Sequence, residues 1–147
     1  MASIYNAQDN QELISRIEKI TPNAPALWGK MNAVQMLKHT KAATDVAFGS
    51  VDLKINFFMK LLGRILKNKV FNSDFKRNSP TAPEFIFTED YDFEASKEEL
   101  ISNIKTFANG PSVIKVIDHP FWGKMTNDDW DKLMWRHLDH HLRQFGV

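Results

Sequence analysis

Apolar residues recur at helical spacing over most of the chain, and the segments between them carry the residues that start and stop helices. Leu13, Ile14, Ile17 and Ile20 predict a first helix over about residues 9–20. Pro22 and Pro25 then impose a short extended link. Asn32 is placed to cap a second helix, with Gln35 in the position a capping box reserves for Glu or Gln, and Gly49 ends that helix just beyond Phe48. A third helical stretch, residues 53–69, carries Ile55, Phe58, Met59, Leu62, Ile65 and Leu66 on one side and lysines on the other. Its plain reading is a surface helix with a solvated basic face; its sharper reading is an amphipathic face for a membrane surface or an acidic partner.

Residues 70–94 form a long connection containing Asn78, Pro80 and Pro83 and the alternating pair Phe85 and Phe87. Connections of this length in a small domain are packed surface loops or functional lids. Ser96, with Glu99 three residues on, predicts the cap of a fourth helix that ends near Phe107, before Asn109, Gly110 and Pro111. Residues 113–117 fit either a short strand or a helical turn. Thr126 and Asp129 make another capping box, Asp128 and Asp129 suit the positive end of the helix dipole, and the last helix runs to about Gln144 before Gly146. The expected class is all-α: a helical bundle with long irregular connections.

The 147 residues fit one domain, 1–147, around a single core. No apolar run approaches the ~18 residues of a spanning helix. The amino-terminal residues lack the basic and apolar regions of a secretory signal, so a cytoplasmic protein without a membrane span is expected. A formal net charge of +1, with lysines spread among acids, gives no electrostatic support for a nucleic-acid partner; residues 54–69 are the densest basic segment. The absence of cysteine excludes disulfides, thiolate zinc sites and a cysteine nucleophile, leaving His, Asp, Glu and backbone oxygens as metal donors.

Histidine is where the chemistry concentrates. His137 and His141 are one turn apart on the last helix and differ in direction by about 40°. They fall on or beside the face set by Trp130, Leu133, Met134, Leu138 and Phe145, whereas His140 turns nearer the rim. His39 lies mid-helix in line with Met36, Ala43 and Val46 and supplies a third imidazole from a facing helix, which is how bundle metal sites are built. Spacing alone leaves two readings open: a metal site, or partly buried histidines satisfied by hydrogen bonds. Gln35 and Gln144, each within a turn of one of these histidines, can orient it or can simply serve the helix ends. Asp45 and Thr44 are weaker candidates to line a pocket. Asp118, His119 and Pro120 are expected to fix the turn into the last helix, and Trp28, Trp122, Trp130 and Trp135 to serve packing.

The segment Met31-Asn-Ala-Val-Gln-Met-Leu-Lys-His39 resembles the DinB superfamily pattern in which an early helix brings the first histidine. His137-Leu-Asp-His-His141-Leu-Arg-Gln144 resembles the last-helix signature of that superfamily. The run from His119-Pro-Phe-Trp-Gly123 through Thr126 and Trp130 to Gly146 is closer still to a branch of DinB/YfiT-like proteins known only as a domain of unknown function. The chain departs from the commoner His-Arg-Gly-Gln ending and adds the stretch at residues 53–69. The resemblance implies a four-helix bundle with an additional helical segment, and a homodimer. It also implies one divalent metal held by His39, His137 and His141; histidine donors allow nickel, zinc, copper, iron or manganese, with nickel or zinc foremost. Characterised members include transferases and isomerases that use a low-molecular-weight thiol. The expected function is therefore metal-dependent activation of a small thiol or of water, for transfer or hydrolysis of a small-molecule substrate. Three neutral ligands would leave the ion's charge uncompensated, which favours a thiol or another anion. The alternative is a non-catalytic helical module for ligand binding or association.

Overall fold

Local capping fixes most of the helix starts. The computed structural model describes residues 2–147. Among them are five α-helices: α1 Ala7–Glu18, α2 Ala33–Ala47, α3 Phe57–Phe71, α4 Phe93–Phe107 and α5 Asn127–Gln144. Single 3-10 turns occur at Pro83–Phe85 and Pro111–Val113, and a two-residue antiparallel pair, β1 Asp118–His119 with β2 Gly123–Lys124, precedes α5. The class is all-α, as the periodicity predicts.

Two of the three expected capping boxes form. Asn32 accepts from the Gln35 amide while Gln35 accepts from that of Asn32, and Thr126 and Asp129 exchange the same two bonds. Three starts differ from the sequence expectation. Helix α1 begins earlier because the Asn6 side chain accepts from the Gln8 and Asp9 amides. Helix α3 begins at Phe57, behind an Asn56 cap, and runs on to Phe71. Helix α4 begins at Phe93, capped by Asp92 rather than by Ser96. The Ser96 hydroxyl sits one turn inside the helix and donates back to the Asp92 carbonyl at 2.6 Å, so it is satisfied without capping. The pair at Asp118–His119 and Gly123–Lys124 is too short to leave a periodicity; residues 113–117 hold the end of a 3-10 turn and an extended link.

Helices α1, α2, α4 and α5 enclose the core. Helix α2 packs on α4 and α5, and α1 packs on the same two. Leu13, Ile17, Leu37, Leu100, Phe107 and Trp130 are among the side chains removed from solvent. Most buried side-chain polar atoms among the described residues are hydrogen-bonded, Glu84 Oε2 and Arg136 Nε being the exceptions. The Asn10 amide donates to the carbonyls of Ile4 and Ile104, at 2.8 and 2.7 Å, stitching α1 to α4. The Trp130 indole donates to the Val116 carbonyl at 2.8 Å. Helix α3 lies outside this group. Its apolar residues, which the plain reading turns inward, are mostly exposed; it touches the rest through Gly63, Phe71 and their neighbours, against α5 and the β pair. No helix among the described residues is long and apolar enough to cross a membrane.

Candidate metal centre

The capped helix α2 carries His39 in its second turn, and α5 carries His137 and His141 on the face turned toward α2. The structure brings these three rings together across a sequence separation of about a hundred residues. One ring nitrogen from each lies within 4.8 Å of the others, a grouping that can hold a metal ion. His39 and His141 are buried, and His137 is partly exposed. His39 Nε2 and His137 Nε2 are 3.0 Å apart. Two nitrogens bound to one tetrahedral ion at about 2.0–2.1 Å would stand roughly 3.3 Å apart, so this spacing fits a shared ion with little movement.

The outward nitrogens decide the tautomers. His39 Nδ1 donates to the Phe85 carbonyl at 3.1 Å, because a carbonyl can only accept. His141 Nδ1 donates to the Gln144 side-chain oxygen at 2.8 Å, and the Gln144 amide in turn donates to the Trp28 carbonyl at 2.7 Å. In both rings Nε2 is left with its lone pair. That is the state a metal requires, held by the kind of outer hydrogen bond that orients ligating histidines.

Burial favours the same neutral state. It is the largest influence on all three rings, lowering the pKa of each. His141 falls to about 3, with the neighbouring His39 adding to the effect of burial. His137 is pushed well below the ordinary value by burial and then by His141, His39 and His140. His39 is lowered by burial despite the opposing Phe85 carbonyl. Among the described residues the group contains no carboxylate. A dication held there would keep its charge, and an anionic fourth ligand would be favoured.

The long connection covers this side of the helices. Phe85 stands edge-on to His39 at 5.7 Å between ring centres, and Phe75 edge-on to His137 at 6.0 Å. His140 is not part of the grouping; its ring lies against Trp28, Phe75 and His141. Arg77 stacks over Trp28 at 4.1 Å, so Trp28 serves the wall of the site as well as packing. His119 stays with the turn, as expected: its Nδ1 accepts from the Phe121 and Trp122 amides. Gln35 caps α2, and its side chain forms no hydrogen bond with a histidine ring among the described residues. Thr44 and Asp45, weak candidates for the pocket, instead hold Asn103 and Lys41 at the contact of α2 with α4. The Phe85 and Trp28 carbonyls are the members that sequence reasoning missed. Backbone acceptors leave no mark in a sequence, whereas the three-residue step from His141 to Gln144 is a detectable signal.

Gly29 makes the Gln144 contact possible. It has φ +80, and a Cβ there would lie 2.6 Å from the Gln144 amide nitrogen. Replacing Gln144 by leucine frees His141 Nδ1 from its acceptor, and metal affinity is expected to fall about 10- to 100-fold. Competition with a chromophoric chelator measures this; an unchanged affinity would show that Gln144 does not orient the ring.

No curated protein and no solved structure matches the chain. A family model does match, over residues 5–146, nearly the whole length, and by that match the chain belongs to the family described as "Protein of unknown function (DUF1569)".

Proposed function

We propose that this protein is a metal-dependent enzyme in which His39, His137 and His141 hold one divalent transition metal, nickel or zinc foremost, for chemistry on a small thiol or water. The observation that carries the reading is the convergence of three neutral imidazoles from two helices, two of them with Nδ1 already engaged so that Nε2 is free to ligate. The ion would act as a Lewis acid that lowers the pKa of a thiol or water, giving a nucleophile near neutral pH. The chain's own groups do the rest. Gln144 and the Phe85 carbonyl fix ring orientation. Phe75 and Phe85 stand against His137 and His39 and narrow the access of water to them. Any thiol must come from a cofactor or substrate, since the chain has no cysteine. The connection over residues 72–92 acts as the lid through which a small anionic substrate enters.

The wider assignment rests on the resemblance of the segments around these histidines and on the near-neutral charge. We place the chain in the DinB/YfiT-like superfamily as one domain over 1–147, with α1, α2, α4 and α5 as its four-helix bundle and α3 as an additional helix. A homodimer without nucleic-acid affinity, in the cytoplasm, belongs to the same proposal.

The test uses protein purified without a histidine tag. Elemental analysis is expected to find about one transition-metal ion per chain. Cobalt-substituted protein should develop a sulfur-to-metal charge-transfer band when a small thiol is added, and His39→Ala protein should stay silent. Metal without a thiol response would remove the thiol chemistry. A direct His39–His137 hydrogen bond supports a second reading, a non-catalytic ligand-binding or association module in which the histidines satisfy one another. Protein that neither carries nor takes up metal would establish that reading in place of the first.

A further inference from the structure

Helix α3 is held along one narrow face and leaves a broad apolar face uncovered. Gly63 is buried against the loop between β1 and β2; a Cβ there would collide with the Phe121 carbonyl, so the helix backbone itself lies on that loop. Lys67 bonds the Asp129 carboxylate at 2.8 Å and the Lys124 carbonyl, and Phe71 fills the far end against Trp122. On the opposite side Phe57, Phe58 and Ile65 are 77%, 81% and 68% exposed, and Leu61 and Leu62 lie beside them at 48% and 44%. At 100° per residue these five side chains share an arc of about 140°. A single exposed leucine needs no account, but a contiguous patch of this kind marks an interaction surface.

Charge identifies what the patch faces. Residues 53–71 contain Lys54, Lys60, Arg64, Lys67 and Lys69 and no acid. Lys67 is paired with Asp129, whereas none of the other four forms an ion pair with a carboxylate among the described residues. Lys60 and Arg64 run along one flank of the apolar arc, and Lys69 stands at its carboxy-terminal end. Lys54, Lys60 and Arg64 also line a surface cleft of about 370 Å3, shared with Asp52 and Asp118. Pairing this face with the same face of a second copy would set two rows of unpaired cations along one seam with no acid from α3 to separate them.

We propose that α3 docks this protein on an anionic lipid bilayer. The helix would lie in the plane of the interface, with Phe57, Phe58, Leu61, Leu62 and Ile65 in the acyl boundary and Lys60, Arg64 and Lys69 among the headgroup phosphates. Apolar burial and attraction to anionic lipid act together in such helices, and neither suffices alone. The proposal does not depend on the histidine site.

Co-sedimentation of the full chain with vesicles tests it. Wild-type protein is expected to bind vesicles of equimolar phosphatidylcholine and phosphatidylglycerol, to leave pure phosphatidylcholine vesicles unbound, and to be released by high salt. The Lys60→Gln, Arg64→Gln double variant should partition more weakly by about fivefold for each cation removed. The Phe58→Ser, Ile65→Ser double variant, altered only at exposed positions, should lose binding while keeping its circular-dichroism spectrum. Equal binding to both lipid compositions would overturn the proposal, as would full binding by the Phe58/Ile65 variant. So would a wild-type protein that ignores both vesicles but forms a dimer that the Phe58/Ile65 variant loses, which would make the face an interface between copies.

Discussion

Replacing His141 by alanine is expected to lower metal affinity by more than about 100-fold, so that protein purified by a route that loads the wild type comes out essentially metal-free. The size of the effect follows from the arrangement around the ring. His141 supplies one of three nitrogens, and its Nε2 is available because Gln144 holds the Nδ1 proton at 2.8 Å. Alanine removes the donor and leaves two imidazoles, which make a weak site. Deleting an outer hydrogen bond already costs 10- to 100-fold, so deleting the donor itself costs more. His140→Ala is the control. That ring is next in sequence and also buried, but it lies against Trp28 and Phe75 and supplies no nitrogen to the grouping. Its metal content should stay near the wild-type level. Elemental analysis of the two variants side by side decides the matter: a His141→Ala protein that retains its metal would remove His141 from the ligand set.

Acidification should unfold the metal-free protein in a window set by histidines rather than carboxylates. His39, His119, His137 and His141 are all held neutral chiefly by burial, so their folded pKa values lie below the ordinary value of 6.5. Below pH 6.5 the unfolded chain takes up protons that the folded chain refuses, and stability falls as pH falls. The stability these groups contribute is fully present above pH 6.5 and is lost on the way down toward the folded values, about 4 for His119 and about 3 for His141. Each such group costs about 1.4 kcal/mol per pH unit within its window. Because the unfolded rings are already half protonated at pH 6.5, His119 and His141 together remove roughly 3 kcal/mol between pH 6.5 and 5. Whole domains are stable by only about 5–15 kcal/mol, so the loss is large. Ordinary carboxylates titrate below about pH 4.5 and do not account for a loss in that range. Urea titrations in the presence of a chelator, at pH 7.5 and pH 5, should show the midpoint falling steeply. A midpoint that holds until carboxylates titrate would mean that the buried rings accept protons without opening the structure.

The sequence by itself determined what depends on neighbours a few residues apart. The capping boxes at Asn32 and Thr126 were legible because both partners of each bond lie within one turn. The all-α class was legible because burial of one helix face repeats every three or four residues. His137 and His141 were legible as a pair because a helix fixes their relative direction, and His39 was legible as a candidate because it shares a face with Met36 and Val46. Where two local signals competed, the sequence misled. Ser96 with Glu99 reads as a capping box, but Asp92 four residues earlier caps instead and Ser96 is drawn into the first turn.

Only the tertiary structure decided what brings distant segments together. That His39 Nε2 meets His137 Nε2 at 3.0 Å depends on how α2 packs against α5, which no local pattern encodes. The tautomers of His39 and His141 depend on the Phe85 carbonyl and on a glutamine held by the Trp28 carbonyl, and backbone carbonyls are the same in every residue. The exposure of α3 was also decided there. Its periodicity promises a buried face, but α1, α2, α4 and α5 already enclose the core. What remains for α3 is a seat against the Phe121 carbonyl narrow enough that only Gly63 fits, and its phenylalanines are left facing outward.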